Sequence, residues 1–243
     1  MKGFVYSIPG LKDGRLIQWS HMLGVRRDAR DAGLGLRLKL AQRARALGMG
    51  IDVIEWTYDP LQALNAHLNF TKLGVVVEEY EENVYGVSSS PLHSGSPTDR
   101  FVAEWRLSAP HVTARIAGSG AVVVRDASVA AAPLVNASRQ AGRRLAPGAA
   151  DLSLAAPRLL VEIPVGITEL QLADPALALE WRLATRAIFQ HYFSHGYRAV
   201  DFFPSRASGR GHYLLSRPPG SLGSGLEVTL QGDPVPPNHQ FQT

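Results

Sequence analysis

A short segment between a predicted strand and a predicted helix combines three arginines with two glycines. Arg26, Arg27 and Arg30 come just before Gly33 and Gly35. Glycine lets the backbone approach a ligand closely, and the first amides of a helix are unpaired and favour negative charge. Arginine side chains add charge that can meet phosphate. The spacing therefore predicts an anion-binding loop at the start of the helix.

Two common phosphate-binding motifs do not fit this loop. The third glycine of the dinucleotide-binding G-x-G-x-x-G pattern is absent, and no Gly-Lys-Ser or Gly-Lys-Thr follows as in a Walker loop. The loop is therefore expected to belong to another class of phosphate site.

Local patterns predict the elements that hold the loop. Segments rich in β-branched and aromatic residues predict strands at 4–8, 16–25, 51–58, 75–77 and 101–107. Apolar residues at 36, 40, 44 and 47 predict an amphipathic helix from Gly33 to Leu47. Asp59 and Pro60 predict the N-cap and first turn of a second helix over 61–73.

The C-terminal part of the chain repeats this order. A segment rich in alanine, serine, glycine and proline is followed by a predicted strand at 159–163 and by a helix that starts at Asp174-Pro175. Gly196 ends this helix, and strands at 197–203 and 211–216 come next. The pattern indicates either a weak tandem half-repeat or the general likeness of α/β units.

Composition limits the classes of function. With 243 residues, 45% hydrophobic and 19% charged, the chain is typical of a globular protein, and no apolar run approaches the ~18 residues of a membrane helix. The absence of cysteine excludes disulfides, thiolate zinc sites, iron–sulfur clusters and a cysteine nucleophile. The N-terminus does not read as a secretory signal, so we expect a cytoplasmic protein without a membrane partner. Basic residues number 25 against 21 acidic ones, with no aromatic-interleaved basic tract, which disfavours nucleic acid.

The glycine loop resembles motif A of the GCN5-related N-acetyltransferase (GNAT) superfamily. In that family the pattern Arg/Gln-x-x-Gly-x-Gly, here Arg30, Gly33 and Gly35, holds the pyrophosphate of coenzyme A. The segment from Asn65 to Gly74 resembles a degenerate motif B. The chain also resembles a bacterial branch of predicted acetyltransferases. The resemblance lies in segments 20–25, 56–61, 65–66 and 97–100 and in the residues around Trp181 and Gly196.

The resemblance implies an α/β (α+β) fold with a mixed, mainly antiparallel sheet flanked by helices. The family's usual first strand and helices are missing here, so we expect an N-terminally incomplete GNAT-like sheet and a second GNAT-like α/β half that packs on it or extends it. The expected organisation is a GNAT-like acyl-CoA-binding domain at 1–107, a linker or irregular segment at 108–157, a C-terminal α/β half at 158–217 and a tail at 218–243.

The resemblance also implies direct attack of an amine on the thioester of acetyl-CoA or another acyl-CoA, succinyl-CoA included. No covalent enzyme intermediate and no metal are needed. Amides near Met22 and Leu23 are expected to stabilise the oxyanion. The donor-binding residues implied are Met22, Leu23, Val25, Arg30, Asp31, Ala32, Gly33, Leu34, Gly35 and Asn65.

The residues that act as acid and base in this reaction are harder to identify from the sequence than the donor-binding residues. The family's tyrosine, which protonates the leaving thiolate, aligns with Phe70, which has no proton to give. The thiolate could leave as the anion, or Tyr58, Tyr80 or water could substitute as the acid. Candidate bases are His21, Glu55 and Asp59. His21 is favoured because the ordinary pKa of histidine lies near neutrality, although a packed or surface histidine is an equal alternative. The predicted catalytic residues are His21, Glu55 and Tyr80.

The expected acceptor is a primary amine on a small molecule, such as an amino acid. Arg100 could clamp its carboxylate, although an ion pair with Asp99 or Glu104 is the favoured role. His191 and His195 have metal-ligand spacing but no acidic third ligand, so no metal is expected. A homodimer is left open. The alternative function is a catalytically weak GNAT-like module that binds acyl-CoA or regulates a partner.

Overall fold

An eight-stranded sheet runs through the protein in the computed structural model, which describes residues 1–30, 33–86, 97–118 and 127–218. The sheet strands are β1 (Gly3–Lys12), β2 (Arg15–Val25), β3 (Val53–Tyr58), β4 (Val76–Glu81), β5 (Arg100–Arg106), β8 (Arg158–Pro164), β9 (Arg198–Ser205) and β10 (Arg210–Ser216), and a separate hairpin contains β6 (Arg139–Ala141) and β7 (Arg144–Ala146). The helices are α1 (Leu34–Gly48), α2 (Ala63–Ala66), α3 (Pro110–Ile116), α4 (Ala127–Ala130), α5 (Ile167–Ala173) and α6 (Pro175–Ser194).

The strand order is β1-β2-β3-β5-β4-β9-β10-β8. Among the described strands, β2 and β3 alone form a parallel pair, and every other neighbouring pair in the sheet is antiparallel. Helix α1 packs on β1 and β2, and α6 packs on β4 and β8. The predicted mixed, mainly antiparallel sheet flanked by helices is confirmed.

The C-terminal strands extend the sheet through the antiparallel neighbours β4 and β9, which pair at Val77 and Ala199. On one side of this junction the order is β3-β5-β4, and on the other side it is β9-β10-β8. Each half therefore consists of a strand, a helical connection and two further strands, with the last strand inserted between the other two. The repeated order of the sequence thus has a counterpart in the connection of the sheet, whereas the domain boundaries remain predictions.

The most buried residues of helix α1 lie beside the predicted apolar face, of which Leu36 and Leu47 are partly buried against the core. Its buried residues are Lys39, Gln42 and Ala46, whereas Ala44 of the predicted apolar face is exposed. Gln42 Nε2 donates to the side-chain oxygens of Ser7 and Gln18 on the hairpin below. Hydrogen bonding to buried neighbours offsets the desolvation of these polar side chains, so a polar stripe can face the sheet.

The two Asp-Pro sites behave differently. Asp174 caps α6 as predicted, because its carboxylate accepts from the backbone N–H of Leu177 and Pro175 fills the first turn. The prediction for Asp59 is wrong, because α2 begins at Ala63 with Gln62 as its N-cap. After one α-helical turn the segment continues as a π-helix over His67–Leu73, a form that is frequent at functional sites.

The segment at 108–157, expected to be a linker or irregular, contains the β6–β7 hairpin and the short helix α3. Over the described residues, no helix is both long and apolar enough to cross a membrane. No group of three His, Asp or Glu side chains that could hold a metal ion occurs in that same part of the chain.

Candidate functional site

Strands β2 and β3 separate soon after they meet. Their parallel pairing is limited to Gln18 with Ile54 and Trp19 with Glu55. Beyond Trp19, β2 continues to Val25 and β3 to Tyr58 without pairing to each other. Because successive backbone amides of a strand point to opposite sides, alternate amides of β2 in this stretch have no strand partner. An opening with free hydrogen-bonding groups results inside the sheet.

The N-terminus of α1 lies beside this opening. Its N-cap, Gly33, has a left-handed conformation with φ of +69°, and a side chain added there would meet open space. Among the described residues no side chain caps the helix, and no acidic residue occupies its first turn. A Cβ built on Gly35 would lie 4.0 Å from Leu68, which lines the opening. The first amides of α1 are therefore available to an anion that enters next to the split.

A cavity of about 170 Å³ fills the split between β2 and β3. We call it the cleft cavity, and it is lined by Ser20, His21, Leu23, Lys39, Trp56, Thr57, Tyr58, Asn65, Leu68 and Asn69. It brings together His21, Leu23 and Asn65 from the predicted site. His21 is exposed at the rim, where its ring makes an edge-on contact with Tyr6.

Lys39 is the buried cation of the cleft cavity. Its side chain is 2% exposed, its Nζ donates to Ser20 Oγ at 2.9 Å, and the same Nζ lies 3.5 Å from the centroid of the Trp56 ring. No carboxylate of the described residues pairs with it. Burial of the ammonium group lowers the pKa of Lys39 to about 7, since nothing with a negative charge compensates for the lost hydration.

A second, larger cavity of about 310 Å³ adjoins the first. We call it the outer cavity, and it is lined by Thr57, Tyr58, Asp59, Gln62, Asn65, Tyr85, Pro97, Thr98, Arg100, Gln171 and Arg182. Thr57, Tyr58 and Asn65 line both cavities. A group in the cleft cavity would therefore reach a group in the outer cavity across the end of β3.

Arginine side chains give the outer cavity its charge. Arg182 binds Asp59 through two hydrogen bonds of 2.6 and 2.8 Å, yet its buried Nε has no partner. Arg100 lies with its guanidinium carbon 5.2 Å from the centroid of the Tyr85 ring. Arg100 forms no ion pair with any carboxylate in the described part of the chain. The ion pair with Asp99 or Glu104, the favoured one of its two expected roles, is therefore absent there.

Tyr58 lies at the boundary of the two cavities and lines both of them. Its hydroxyl is buried and has no hydrogen-bond partner of good geometry. Burial, followed by the neighbouring Tyr213 and Asp59, raises the pKa of Tyr58 well above its ordinary value. The phenol therefore remains protonated.

Glu55 and Tyr80, two of the predicted catalytic residues, already have strong partners and line neither cavity. Glu55 is buried and accepts a 2.6 Å bond from Lys12 Nζ. Tyr80 donates to the fully buried Asp99 at 2.6 Å, and burial followed by this bond raises the pKa of Tyr80. Phe70 is completely buried and packs edge-on against Tyr213.

The predicted donor-binding residues lie along the opening and the loop. Met22 is exposed on β2, and the Val25 carbonyl accepts from Arg30 Nε at 3.3 Å. Gly33, Leu34 and Gly35 form the start of α1. Asp31 and Ala32 lie outside the described residues.

Sequence reasoning missed Lys39, Arg182 and the network around Asp99. Lys39, Gln42 and Ala46 follow helical spacing, but the polarity of Lys39 and Gln42 conceals a buried face. Asp99 accepts two bonds from Arg186 on α6, which is 87 positions away, so no local pattern could reveal the pair. Burial alone would raise the pKa of Asp99, but the bonds from Arg186 and Tyr80 outweigh it and hold that pKa below its usual value.

Comparisons with known proteins give a limited likeness. No protein family model matches the chain, and no curated protein matches it. A solved structure of Naa20 from Chaetomium thermophilum, in complex with a bisubstrate analogue, is similar with 17% identity and a TM-score of 0.33. The match covers 43% of this chain and 56% of that one, so the chain spans about half the length of the Naa20 chain.

Proposed function

We propose that this protein is an acyl-CoA-dependent N-acyltransferase of the GNAT type, in the bacterial branch that its sequence resembles. It transfers an acetyl or succinyl group to a primary amine of a small molecule. The observation that carries the proposal is the split between β2 and β3, which opens into a cavity beside the uncapped N-terminus of α1.

The residues present fit an acyl-CoA donor. The open space at Gly33 and the free amides of α1 suit a diphosphate, and Arg30 adds positive charge. The cleft cavity suits the thioester arm, which supplies the activated acyl group. Unpaired amides of β2 near Met22 and Leu23 would donate to the oxyanion that develops on the acyl oxygen. Asn65 would contact the arm from the opposite wall.

The outer cavity suits the acceptor amine. It meets the cleft cavity at Tyr58 and Asn65, so an amine placed there would face the thioester. His21, at the rim of the cleft cavity, is the candidate for removing the proton of the amine. Attack by the nitrogen on the acyl carbon and departure of the thiolate complete the transfer without an enzyme-bound intermediate.

Titration calorimetry with acetyl-CoA and with succinyl-CoA tests donor binding. We expect a dissociation constant between about 1 μM and 1 mM, the usual range for enzyme substrates. Absence of heat with both donors at about 1 mM would refute the proposal. Given binding, release of free thiol in the presence of an amine library tests catalysis.

A catalytically weak acyl-CoA-binding module is the second candidate. This function is favoured because Glu55 and Tyr80 are already bonded to Lys12 and Asp99, and because the buried Phe70 has no proton to donate. Donor binding without thiol release from any amine would support this function over the enzyme.

The guanidinium of Arg100 gives a prediction about the acceptor. Arg100→Gln should raise the KM of carboxylate-bearing amines about 10- to 100-fold, because a hydrogen bond to a charged group is worth about 1.5–3 kcal/mol. Amines without a carboxylate should be unaffected, and the dissociation constant of the donor should not change. Initial-rate kinetics with matched pairs of amino acids and their amides measures this effect, and an equal change for both members of a pair would contradict it.

A further inference from the structure

The acid that protonates the departing thiolate is the missing part of the proposed reaction. Phe70 has no proton, and the hydroxyl of Tyr80 is held by Asp99 outside both cavities. Tyr58 reaches the cleft cavity, but burial makes its phenol a weaker acid than an ordinary tyrosine. A different proton donor must therefore face the thioester if the reaction is catalysed efficiently.

Lys39 lines the cleft cavity and has N–H groups that are available to donate a proton. An ammonium group carries three N–H donors. One of them bonds to Ser20 Oγ, and the face of the Trp56 ring lies against the same Nζ. No other acceptor among the described residues binds the Nζ, so its remaining donor capacity is available to a ligand in the cavity that Lys39 lines. The titratable groups that line this cavity with it are His21 and Tyr58.

A structural role alone is a poor explanation of this lysine. Burial of an ammonium group without a carboxylate partner costs free energy, which a methionine or leucine at the same position would not incur. Such violations of local preference are expected at functional sites. The same burial brings the pKa of Lys39 to about 7, below the ~8.5 of an ordinary thiol, so proton transfer to a thiolate is downhill.

We propose that Lys39 is the general acid of the acyl transfer and donates a proton from its Nζ to the departing sulfur. This inference rests on the proposed N-acyltransferase function. The acceptor nitrogen forms a bond to the acyl carbon, the carbon–sulfur bond breaks, and its electron pair remains on sulfur. The sulfur takes the Nζ proton and leaves as free thiol. His21 takes the proton of the acceptor nitrogen and releases it to water, and Lys39 takes up a proton from water to restore its ammonium form.

Two variants of Lys39 distinguish the loss of its transferable proton from the loss of its positive charge. Lys39→Arg keeps a positive charge that can stack on Trp56, but a guanidinium does not release its proton. Lys39→Met removes both the charge and the proton. We expect each variant to lower kcat with acyl-CoA about 100-fold, at the lower end of the ~10²–10⁴-fold range for general acid–base catalysis. The exposed Lys72→Met, which lines neither cavity, is the matched control and should keep the wild-type kcat.

The leaving group provides the decisive measurement. With an aryl thioester of the same acyl group, whose thiolate leaves without a proton, the loss in kcat/KM caused by Lys39→Arg should fall below about 10-fold. The pH profile should change as well. In the wild type the protonated acid is lost as the pH rises through about 7, so kcat/KM stops rising there. In Lys39→Arg it should continue to rise with deprotonation of the acceptor amine.

The outcomes distinguish the two proposals. Wild-type thiol release together with an unimpaired Lys39→Arg would overturn the role of Lys39 and leave the acyltransferase function intact. An equal loss with both thioesters would also overturn it, since a structural defect does not depend on the leaving group. Absence of donor binding by the wild-type protein would refute the acyltransferase function, and the role of Lys39 with it.

Discussion

Gly33→Glu should abolish measurable donor binding while the protein stays folded. A carboxylate at this position would lie at the amides of α1 and repel the diphosphate. Loss of two or more charge-assisted hydrogen bonds, each worth about 1.5–3 kcal/mol, corresponds to a weakening of more than 100-fold. Titration calorimetry with acetyl-CoA measures the change, and circular dichroism verifies the fold.

Gly50→Glu provides the matched control for this experiment. Gly50 also has a left-handed φ, +73° against +69° for Gly33, and a side chain there also meets open space. Both variants therefore carry the same backbone strain, of about 1–2 kcal/mol, but Gly50 lies at the C-terminal end of α1. Gly33→Ala isolates the strain from the charge and should retain most of the binding. An unchanged dissociation constant in Gly33→Glu would mean that the anion site lies elsewhere.

Asp99→Asn should cause the largest loss of stability. Asp99 is fully buried and accepts bonds from Arg186, Tyr80 and the backbone N–H of Asn83. The amide group of asparagine presents a donor to these donors and leaves Arg186 with the exposed Glu82 as its remaining carboxylate partner among the described residues. Breaking a buried ion pair in this way costs about 3–5 kcal/mol. Urea denaturation at pH 7 measures the difference in free energy of unfolding.

The effect of Asp99→Asn should depend on pH. The pKa of Asp99 is lower in the folded protein than in the unfolded chain, so its carboxylate contributes stability above the unfolded value of about 3.9. That stability is lost as the pH falls through the folded pKa, and the wild type should then approach the variant. Glu82→Gln removes the exposed partner of the same Arg186 and should cost less than about 1 kcal/mol. A pH-independent difference, or equal losses from both variants, would contradict this account.

Local patterns in the sequence identify most of the elements that frame the candidate site. The glycine that begins α1 and the Asp174 cap each depend on neighbouring residues, so they can be predicted from composition and spacing. The N-cap prediction at Asp59 was wrong because that residue also has a partner in a distant part of the chain, which no local pattern shows. Its carboxylate accepts from the Leu61 amide as a cap would, but it also binds Arg182, 123 positions away, and the helix begins later.

By itself, the sequence determined the glycine loop, the sheet-forming strands and the absence of cysteine chemistry, since these depend on residue type and short-range spacing. Only the tertiary structure decided that β2 and β3 part after two residue pairs and that Tyr58 lines two cavities. It also decided that Lys39 is buried with no carboxylate of the described residues as its partner. Each of these facts depends on which residues from distant segments fill the space around a side chain. That packing also shifts the pKa of Lys39, because hydration is lost only when β2, β3 and α1 come together.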